Sequence, residues 1–472
     1  MLTKQSDDFS KWYNDIILRA ELADYAPIKG CMIIRPYGYA IWENIQKVMD
    51  VKIKKLGVNN VYFPLFIPEK FFKKEAEHVE GFNPQVAWIT HGGGKKLEEK
   101  LAIRPTSETV MYDAFSDWIH SHRDLPFKVN QWANIVRWEM RTRLFLRTME
   151  FLWQEGHTAH ATEKEADEMT KTVLKMYNDF AEEYLGFYCI PGEKTESEKF
   201  PGAKYTLTFE ALMKDGKALQ MGTSHQLGQE FAKSFNIQFL DEKGNKKYVW
   251  QTSWGVSTRM IGGIVMAHGD DKGLILPPKL AQYPIVIIPI TYDSKIFEYI
   301  EKIEKIIRNK QIDYFIDKNE QQTPGWKFNE WEMKGVPLRL ELGPKDIAAN
   351  HAVIARRDAG PKEKLTVSLD GMKATILDLL DQIHRGMFAA ALKFREDNSH
   401  RVETYEQFKD VLDNQLGFVY AHWCGETACE QAIQDETKAT IRCIPFDQPP
   451  EDGACVHCGK PSHGRVPFAR AY

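Results

Sequence analysis

Two runs rich in β-branched and aromatic residues, 129–139 (VNQWANIVRWE) and 150–157 (EFLWQEGH), are joined by a short, largely polar stretch. Segments of this composition favour strands, and their spacing predicts an antiparallel hairpin. Side chains alternate between the faces of a strand. Arg137 and Glu139 therefore point one way and Val136 and Trp138 the other, while Phe151, Trp153, Glu155 and His157 share a face of the second strand. Met140 to Leu144 reads as a loop carrying Arg141 and Arg143. Such a hairpin presents a cation, an acid, a ring and an imidazole to one cleft. An ordinary hairpin with surface ion pairs is the competing reading. Exposed ion pairs add only ~0–1 kcal/mol, so stability alone does not explain so many charges beside aromatics. With Arg147 and Arg259 added, the set could hold a nucleoside triphosphate by side chains alone, in a chain that contains no G-x-x-x-x-G-K-[ST] phosphate loop.

The run Arg137-Trp138-Glu139 with Arg147-Thr148-Met149-Glu150-Phe151 resembles motif 2 of the class II aminoacyl-tRNA synthetases. Residues 56–64 (LGVNNVYFP) resemble motif 1, a helix-strand element ending in proline, and 253–259 (SWGVSTR) resemble motif 3, with the arginine opening a helix. Between them, Arg104-Pro-Thr-Ser-Glu-Thr109 and Gly222-Thr-Ser-His225 are similar to signatures of the prolyl-tRNA synthetase family, as are 324–328 (PGWKF) and 341–346 (ELGPKD). The resemblance covers essentially the whole chain. It implies an α+β protein: a class II antiparallel-sheet catalytic domain over 1–280, an α/β anticodon-binding domain over 281–385, and a linker helix with a small α/β zinc-binding domain over 386–472. It also implies activation of L-proline with ATP, transfer to the 3′ end of tRNA(Pro), a magnesium ion accompanying ATP, and a homodimer packed across the motif 1 helix.

Site roles follow from the same resemblance. Arg137 would lie against the α-phosphate, where the two substrates meet, and Arg147 and Arg259 would grip the distal phosphates. Phe151 would stack on adenine, with Arg259 over its other face, and Glu139 would accept from the adenine amino group. Gln220 and Thr223 would add ribose and phosphate contacts. Thr106 and Glu108 suit the proline ammonium, one as neutral acceptor and one as counterion. Phe82, Trp153, His157 and Phe200 would wall the ring, with His225 and Ser257 near its base and Glu155 bracing the pocket. Trp326 would stack on an unpaired base, Arg339, Glu341, Lys345 and Asp346 would read the anticodon, and Arg356 and Arg357 would face RNA backbone or solvent. The final Tyr472 would send its carboxylate toward the active site. Met149 stands where relatives often carry a basic residue, and the loop holding Arg141 and Arg143 departs from the common form. Only about 100 residues separate Phe151 from Gly255, which leaves no room for the editing insertion of most bacterial members and points to the archaeal- and eukaryote-like type.

Composition agrees. A chain of 472 residues is long enough for two to four domains, and 43% hydrophobic residues suffice for their cores. The net charge of -4 offers no global attraction to RNA, so an RNA partner requires local basic patches. The N-terminal residues lack the apolar core of a signal peptide, and the apolar run 283–290 is too short and proline-interrupted to span a bilayer; the chain reads as cytoplasmic. Of seven cysteines, Cys424, Cys429, Cys455 and Cys458 form C-x4-C and C-x2-C pairs suited to a tetrahedral structural zinc. Disulfides are the competing explanation, disfavoured in the cytosol, and His422 and His457 are alternative ligands.

Periodicity adds the remaining elements. Phe9, Trp12, Tyr13, Ile16 and Ile17 mark an amphipathic helix after Ser6, and Ile41, Ile45, Val48, Met49, Ile53 and Leu56 mark a second. A long helix is expected from about Glu163 to Tyr184, strands at 284–290 and 312–316 beyond a boundary at 276–279, and a charged linker helix around 388–408. The competing readings are a synthetase for another small amino acid and a silent RNA-binding paralogue.

Overall fold

The expected hairpin forms, with strands Phe127–Val136 and Glu150–His160 antiparallel and Gln131 opposite Glu155. The structure, a computed structural model, describes residues 2–76, 86–308, 312–360 and 363–472. The first strand stops at Val136, so Arg137, Trp138 and Glu139 lie just beyond it rather than inside it. The Arg137 N–H still donates to the Met149 carbonyl at 2.8 Å, which keeps its side chain in strand alternation, while Trp138 stands half-exposed.

This hairpin belongs to an eight-stranded sheet with the order 444–445, 190–193, 205–212, 218–228, 250–257, 150–160, 127–136, 59–60. The pairings are antiparallel except the last, in which Asn59–Asn60 lies parallel to Phe127–Val136. Helix Phe9–Arg19 begins where the Asp8 carboxylate accepts from the Lys11 N–H, and buries Trp12, Tyr13, Ile16 and Ile17 completely. Burying each such side chain is worth roughly 1.5–3 kcal/mol. Helix Pro36–Lys55 buries Ile41, Trp42, Ile45, Met49 and Ile53 against the same core. The helix Glu163–Phe180 starts in a reciprocal cap of Thr162 with Glu165, continues through one π turn, Ala181–Leu185, and stops at Gly186, whose positive φ of 68° ends it. It covers one face of the sheet and leaves the other for the cleft.

A second, five-stranded sheet follows, ordered 314–316, 285–289, 338–342, 351–356, 364–368. Its first three strands are parallel and the last two antiparallel. The third unit is a four-stranded sheet ordered 399–401, 418–422, 465–469, 440–441. Helices and sheets are thus combined as an α+β protein. Two expectations are corrected here. The linker helix is not at 388–408: one helix spans Met372–Asp397, starting in the second core with Met372, Ile376 and Ile383 buried, and a separate short helix covers Tyr405–Asn414. Charge alone marked the exposed half of the long helix, and its buried half read as part of the preceding unit. Arg357 does not face solvent or RNA either. Its side chain is buried, with both terminal nitrogens on the Asp270 carboxylate at 3.0 and 2.6 Å and Nε on the Glu332 carbonyl, which ties the second unit to the first. Arg356 is paired with Asp358. Among the described residues no helix is long and apolar enough to cross a membrane.

Candidate active site

The open face of the large sheet forms a cleft of about 570 Å³. Thr106, Glu108, Arg137, Glu139, Arg147, Phe151, Trp153, Glu155, His157, Phe200, Gln220, Thr223, His225, Ser257 and Arg259 all line it. Phe82 lies outside the described residues. Strand alternation explains the convergence: 153, 155 and 157 project from one strand, 220, 223 and 225 from a strand with irregular pairing, and 253, 255 and 257 from the strand between them.

One end of the cleft is cationic. Arg137 is exposed to the open cleft, with its guanidinium 5.6 Å from the centroids of both Phe151 and Trp153 and its Nε donating to the Pro105 carbonyl at 3.1 Å. Confinement lowers its pKa, with Glu108, Glu155 and Glu139 opposing. Arg259 opens the helix Arg259–His268 and donates from Nε to the Leu146 carbonyl at 3.2 Å and from Nη1 to the Gln220 carbonyl at 3.3 Å. Burial, reinforced by the charge of Arg137, brings its pKa down to about 10. Arg147 is paired with Glu139 at 2.7 Å. Neighbouring arginines whose positive charges repel one another gain from a polyanion that bonds to them together.

The other end is acidic and closely packed. Thr106 Oγ1 donates to Glu108 Oε2, and both residues are buried. Glu155 Oε1 accepts from Ser107 Oγ at 2.5 Å and Gln131 Nε2 at 2.8 Å, and Oε2 lies 3.3 Å from His157 Nε2. His157 Nδ1 meets the Tyr112 hydroxyl at 3.1 Å. Burial opposes charging of His157, but its bond to Glu155 and the charges of Glu108 and Glu155 win, and its pKa is raised. His225 behaves oppositely: burial and the neighbouring His157 charge push it down to about 3. It stays neutral between Thr206 Oγ1 and Thr223 Oγ1, each 2.9 Å from a ring nitrogen, with the Phe200 ring 4.7 Å away. Ser253 Oγ, also in the lining, is buried without a hydrogen-bond partner. A small cation beside Glu108 and a polyphosphate among the arginines would fit this polarity.

Several lining residues escaped the sequence reading, namely Lys194, Glu198, Lys199, Pro201 and Thr206, and Ser253 was read as part of motif 3 without a role in the site. Alternation from His225 across its register partner would have found Thr206; the 194–201 segment carries no comparable signal. The loop arginines also separate. Arg143 is held away from the cleft, over the rings of Tyr13 and Tyr472 at 4.8 and 5.1 Å, with Nη2 on Ser10. Tyr472 docks on Ala218 and Asp215 and is not among the cleft-lining residues.

In the second unit, Arg339 and Glu341 share a strand face but bond each other at 3.0 Å, and Arg339 stacks 4.4 Å over Phe328. Arg339 lines a separate hollow of about 340 Å³ with Phe328 and Lys364. Trp326 is 47% exposed at the start of the helix Pro324–Met333. Lys345 is exposed, whereas Asp346 caps its own helix through the Gly343 N–H and bonds His351. In the third unit the Sγ atoms of Cys424, Cys429, Cys455 and Cys458 all lie within 4.8 Å of one another. Cys424 and Cys458 are 3.7 Å apart, close to the ~3.8 Å edge of a tetrahedron with Zn–S bonds of ~2.3 Å, so the donor set fits such an ion. His422 bonds Ser462 and faces Glu451, and His457 packs on Tyr405; neither belongs to the cluster.

Comparison with known proteins agrees with this geometry. Residues 89–268 match the family described as tRNA synthetase class II core domain (G, H, P, S and T), 284–379 the anticodon binding domain, and 405–472 the prolyl-tRNA synthetase C-terminal family. The chain is 53% identical to a proline–tRNA ligase of Chloroherpeton thalassium, over 100% of this chain and 99% of the relative. It is 51% identical to proline–tRNA ligase 2 of Clostridioides difficile, over 100% and 98%. The crystal structures of prolyl-tRNA synthetase from Cryptosporidium parvum, one complexed with halofuginone and AMPPNP and one with L-proline and AMP, superpose with TM-scores of 0.95 and 0.94. Both are 42% identical and cover 100% of this chain, and 97% and 96% of theirs. With relatedness of this degree along its full length, the chain belongs to the prolyl-tRNA synthetase family.

Proposed function

We propose that the cleft on the large sheet is where this ligase joins L-proline to ATP and passes it to tRNA(Pro). Membership of the family carries the reaction: the proline carboxylate attacks the α-phosphate, pyrophosphate leaves, and a ribose hydroxyl at the tRNA 3′ end then takes the prolyl group from the adenylate. The observation that carries the assignment is the polarity of one cleft, with Arg147 and Arg259 toward one end and buried Glu108 and Glu155 toward the other. Arg137 lies between them, so it would touch the α-phosphate and the incoming carboxylate together. Its work is electrostatic, since such transfer depends on positioning and on neutralising developing charge. Arg147 and Arg259 would hold the distal phosphates, Phe151 the adenine and Glu139 its amino group; Glu139 would then share itself with Arg147. Gln220 and Thr223 are placed for ribose and phosphate. Thr106 and Glu108 would receive the ammonium. Trp153, His157, Phe200, His225 and Ser257 would enclose the ring, and the Ser107–Gln131–Glu155 bonds would keep the wall rigid. Glu155, Glu108 and Glu139 are already bonded to protein groups, so magnesium would arrive held chiefly by phosphate oxygens, where it neutralises charge.

Zinc at the four cysteines would act in folding, since a four-thiolate shell leaves no open position for substrate. Trp326, Arg339, Glu341, Lys345 and Asp346 are the anticodon candidates, with Asp346 the most committed to its own helix. A homodimer is supported by exposed apolar residues at and beside motif 1: Tyr62 is 73% exposed, and Tyr39, Val51 and Phe66 are exposed too. The type without an editing insertion is supported by residues 151–255, which supply strands, helices and one small hairpin and no further unit. Correction of mischarged alanine would then fall to another protein, and a cytoplasmic location suits the activity. The domain divisions near 280 and 385 remain our reading, the second placed inside the helix Met372–Asp397.

The test is ATP–pyrophosphate exchange by the purified chain with each of the twenty amino acids. Stimulation mainly by proline is expected, and Arg137→Ala should abolish it in a folded protein. Exchange driven mainly by a different amino acid would overturn the pocket assignment.

A further inference from the structure

The third unit reaches the wall of the cleft from behind. Segment 194–201 contributes Lys194, Glu198, Lys199, Phe200 and Pro201 to the lining. Part of its shape comes from its own sheet, through the Lys194 N–H to the Thr206 carbonyl at 2.8 Å and the Phe200 N–H to Thr206 Oγ1 at 2.9 Å. The middle of the segment is held differently. Glu430, in the first turn of the helix Thr427–Thr437, accepts from Thr195 Oγ1 and Ser197 Oγ, each at 2.7 Å, one hydroxyl on each carboxylate oxygen. Glu430 is only 4% exposed and does not line the cleft.

A second anchor lies beside the first. Arg442 donates from Nε and Nη2 to Glu210 Oε2 at 3.1 and 2.9 Å, and Glu210 Oε1 lies 3.1 Å from Lys194 Nζ. The strand Ile444–Pro445 pairs with Ile190–Glu193, which leads directly into the segment. Burying a carboxylate is costly unless its oxygens are bonded. Here the bonds run to two hydroxyls of a loop in another unit, so removing the carboxylate loosens that loop and leaves the two hydroxyls, 3.3 Å apart, only each other.

We propose that Glu430 is a positioning residue for the substrate pocket, holding segment 194–201 and with it Phe200 against the site that receives proline. The C-terminal unit is then a working part of amino-acid recognition. This rests on the assignment of the cleft to proline and ATP. Proline affinity depends on the wall, whereas the arginines and Phe151, which would hold ATP, stand on other elements.

The experiment is exchange kinetics on the full chain with proline and ATP varied separately. Glu430→Ala should raise the KM for proline about 3- to 10-fold, the loss of bonds to a charged acceptor partly offset by the segment's own anchors. The KM for ATP and kcat should stay within about twofold, and Glu430→Gln, which retains acceptor oxygen, should recover part of the loss. Thr195→Val with Ser197→Ala should reproduce the effect from the other side and add little when combined with Glu430→Ala, as partners in one contact do. If Glu430→Ala does not fold, the loop-side pair decides alone. An unchanged proline KM in a folded variant, or equal rises for proline and ATP, overturns the proposal while the parent's proline-dependent exchange leaves the cleft assignment standing. Exchange driven mainly by another amino acid overturns both.

Discussion

Glu210 shows how one buried side chain can link distant parts of the chain. It is fully buried, with Arg442 on one oxygen and Lys194 and Thr208 near the other. Burial pushes its pKa up, but the charges of Arg442 and Lys194 and their hydrogen bonds prevail and bring it down to about 2. A free glutamate titrates near ~4.3. A depressed carboxylate contributes stability above that value and loses the contribution as pH falls toward the folded pKa. Glu210→Gln should therefore lower stability at pH 7 by about 3–5 kcal/mol, because Arg442 and Lys194 lose their counterion inside the protein. It should also flatten the dependence between pH ~4.3 and the folded value, as urea unfolding across that range would reveal. At this scale the sequence was legible for local patterns. Alternation placed Phe151, Trp153, Glu155 and His157 on one face, and all four line the cleft. Their supports, Ser107, Gln131 and Tyr112, were not legible, because partners on other elements follow no spacing in the chain.

Among the elements, the strand Glu150–His160 is closely constrained by its neighbour. A Cβ on Gly156 would come within 2.2 Å of the Trp254 ring on the neighbouring strand. That ring packs against Tyr177 of the helix Glu163–Phe180 and has little room to retreat. Gly156→Ala should cost about 1–3 kcal/mol by overpacking and, by displacing Glu155 and His157, should weaken proline binding more than ATP binding. Thermal unfolding and separate KM values would check both halves. Long helices with caps and apolar stripes were readable in advance, as Thr162 and Glu165 illustrate. The two-residue strand Ile444–Pro445 was not, since two residues are too few to show a period. The linker helix was misplaced for a related reason: a single helix that starts in one core and ends on the surface changes its pattern midway.

For the whole molecule, the units are tied by specific polar contacts as well as by apolar packing. Arg357, buried and bidentate on Asp270, joins the second unit to the first. Arg357→Ala should cost about 1–3 kcal/mol, allowing for the partial exposure of Asp270, and calorimetry should show the transitions of the two units drawing apart. Removing the proposed zinc with a chelator should lower the melting temperature and leave four more thiols reactive, because metal binding and folding are coupled at such sites. Unchanged melting and reactivity would exclude a structural ion. The legible part here was the order of the motifs; the contacts between units were not, because each joins residues far apart in the chain.

The edge of the large sheet at Ile190–Glu193 is covered by Ile444–Pro445, about 250 residues further on. A ribosome adding ~5–20 residues per second needs tens of seconds to supply that cover. Throughout this interval the nascent chain carries a sheet with an unpaired edge, the kind of surface that recruits other strands. A stretch made late therefore seals the sheet of the unit made first, and a chain cut before Ile444 would be expected to aggregate through that edge as well as to hold proline less firmly.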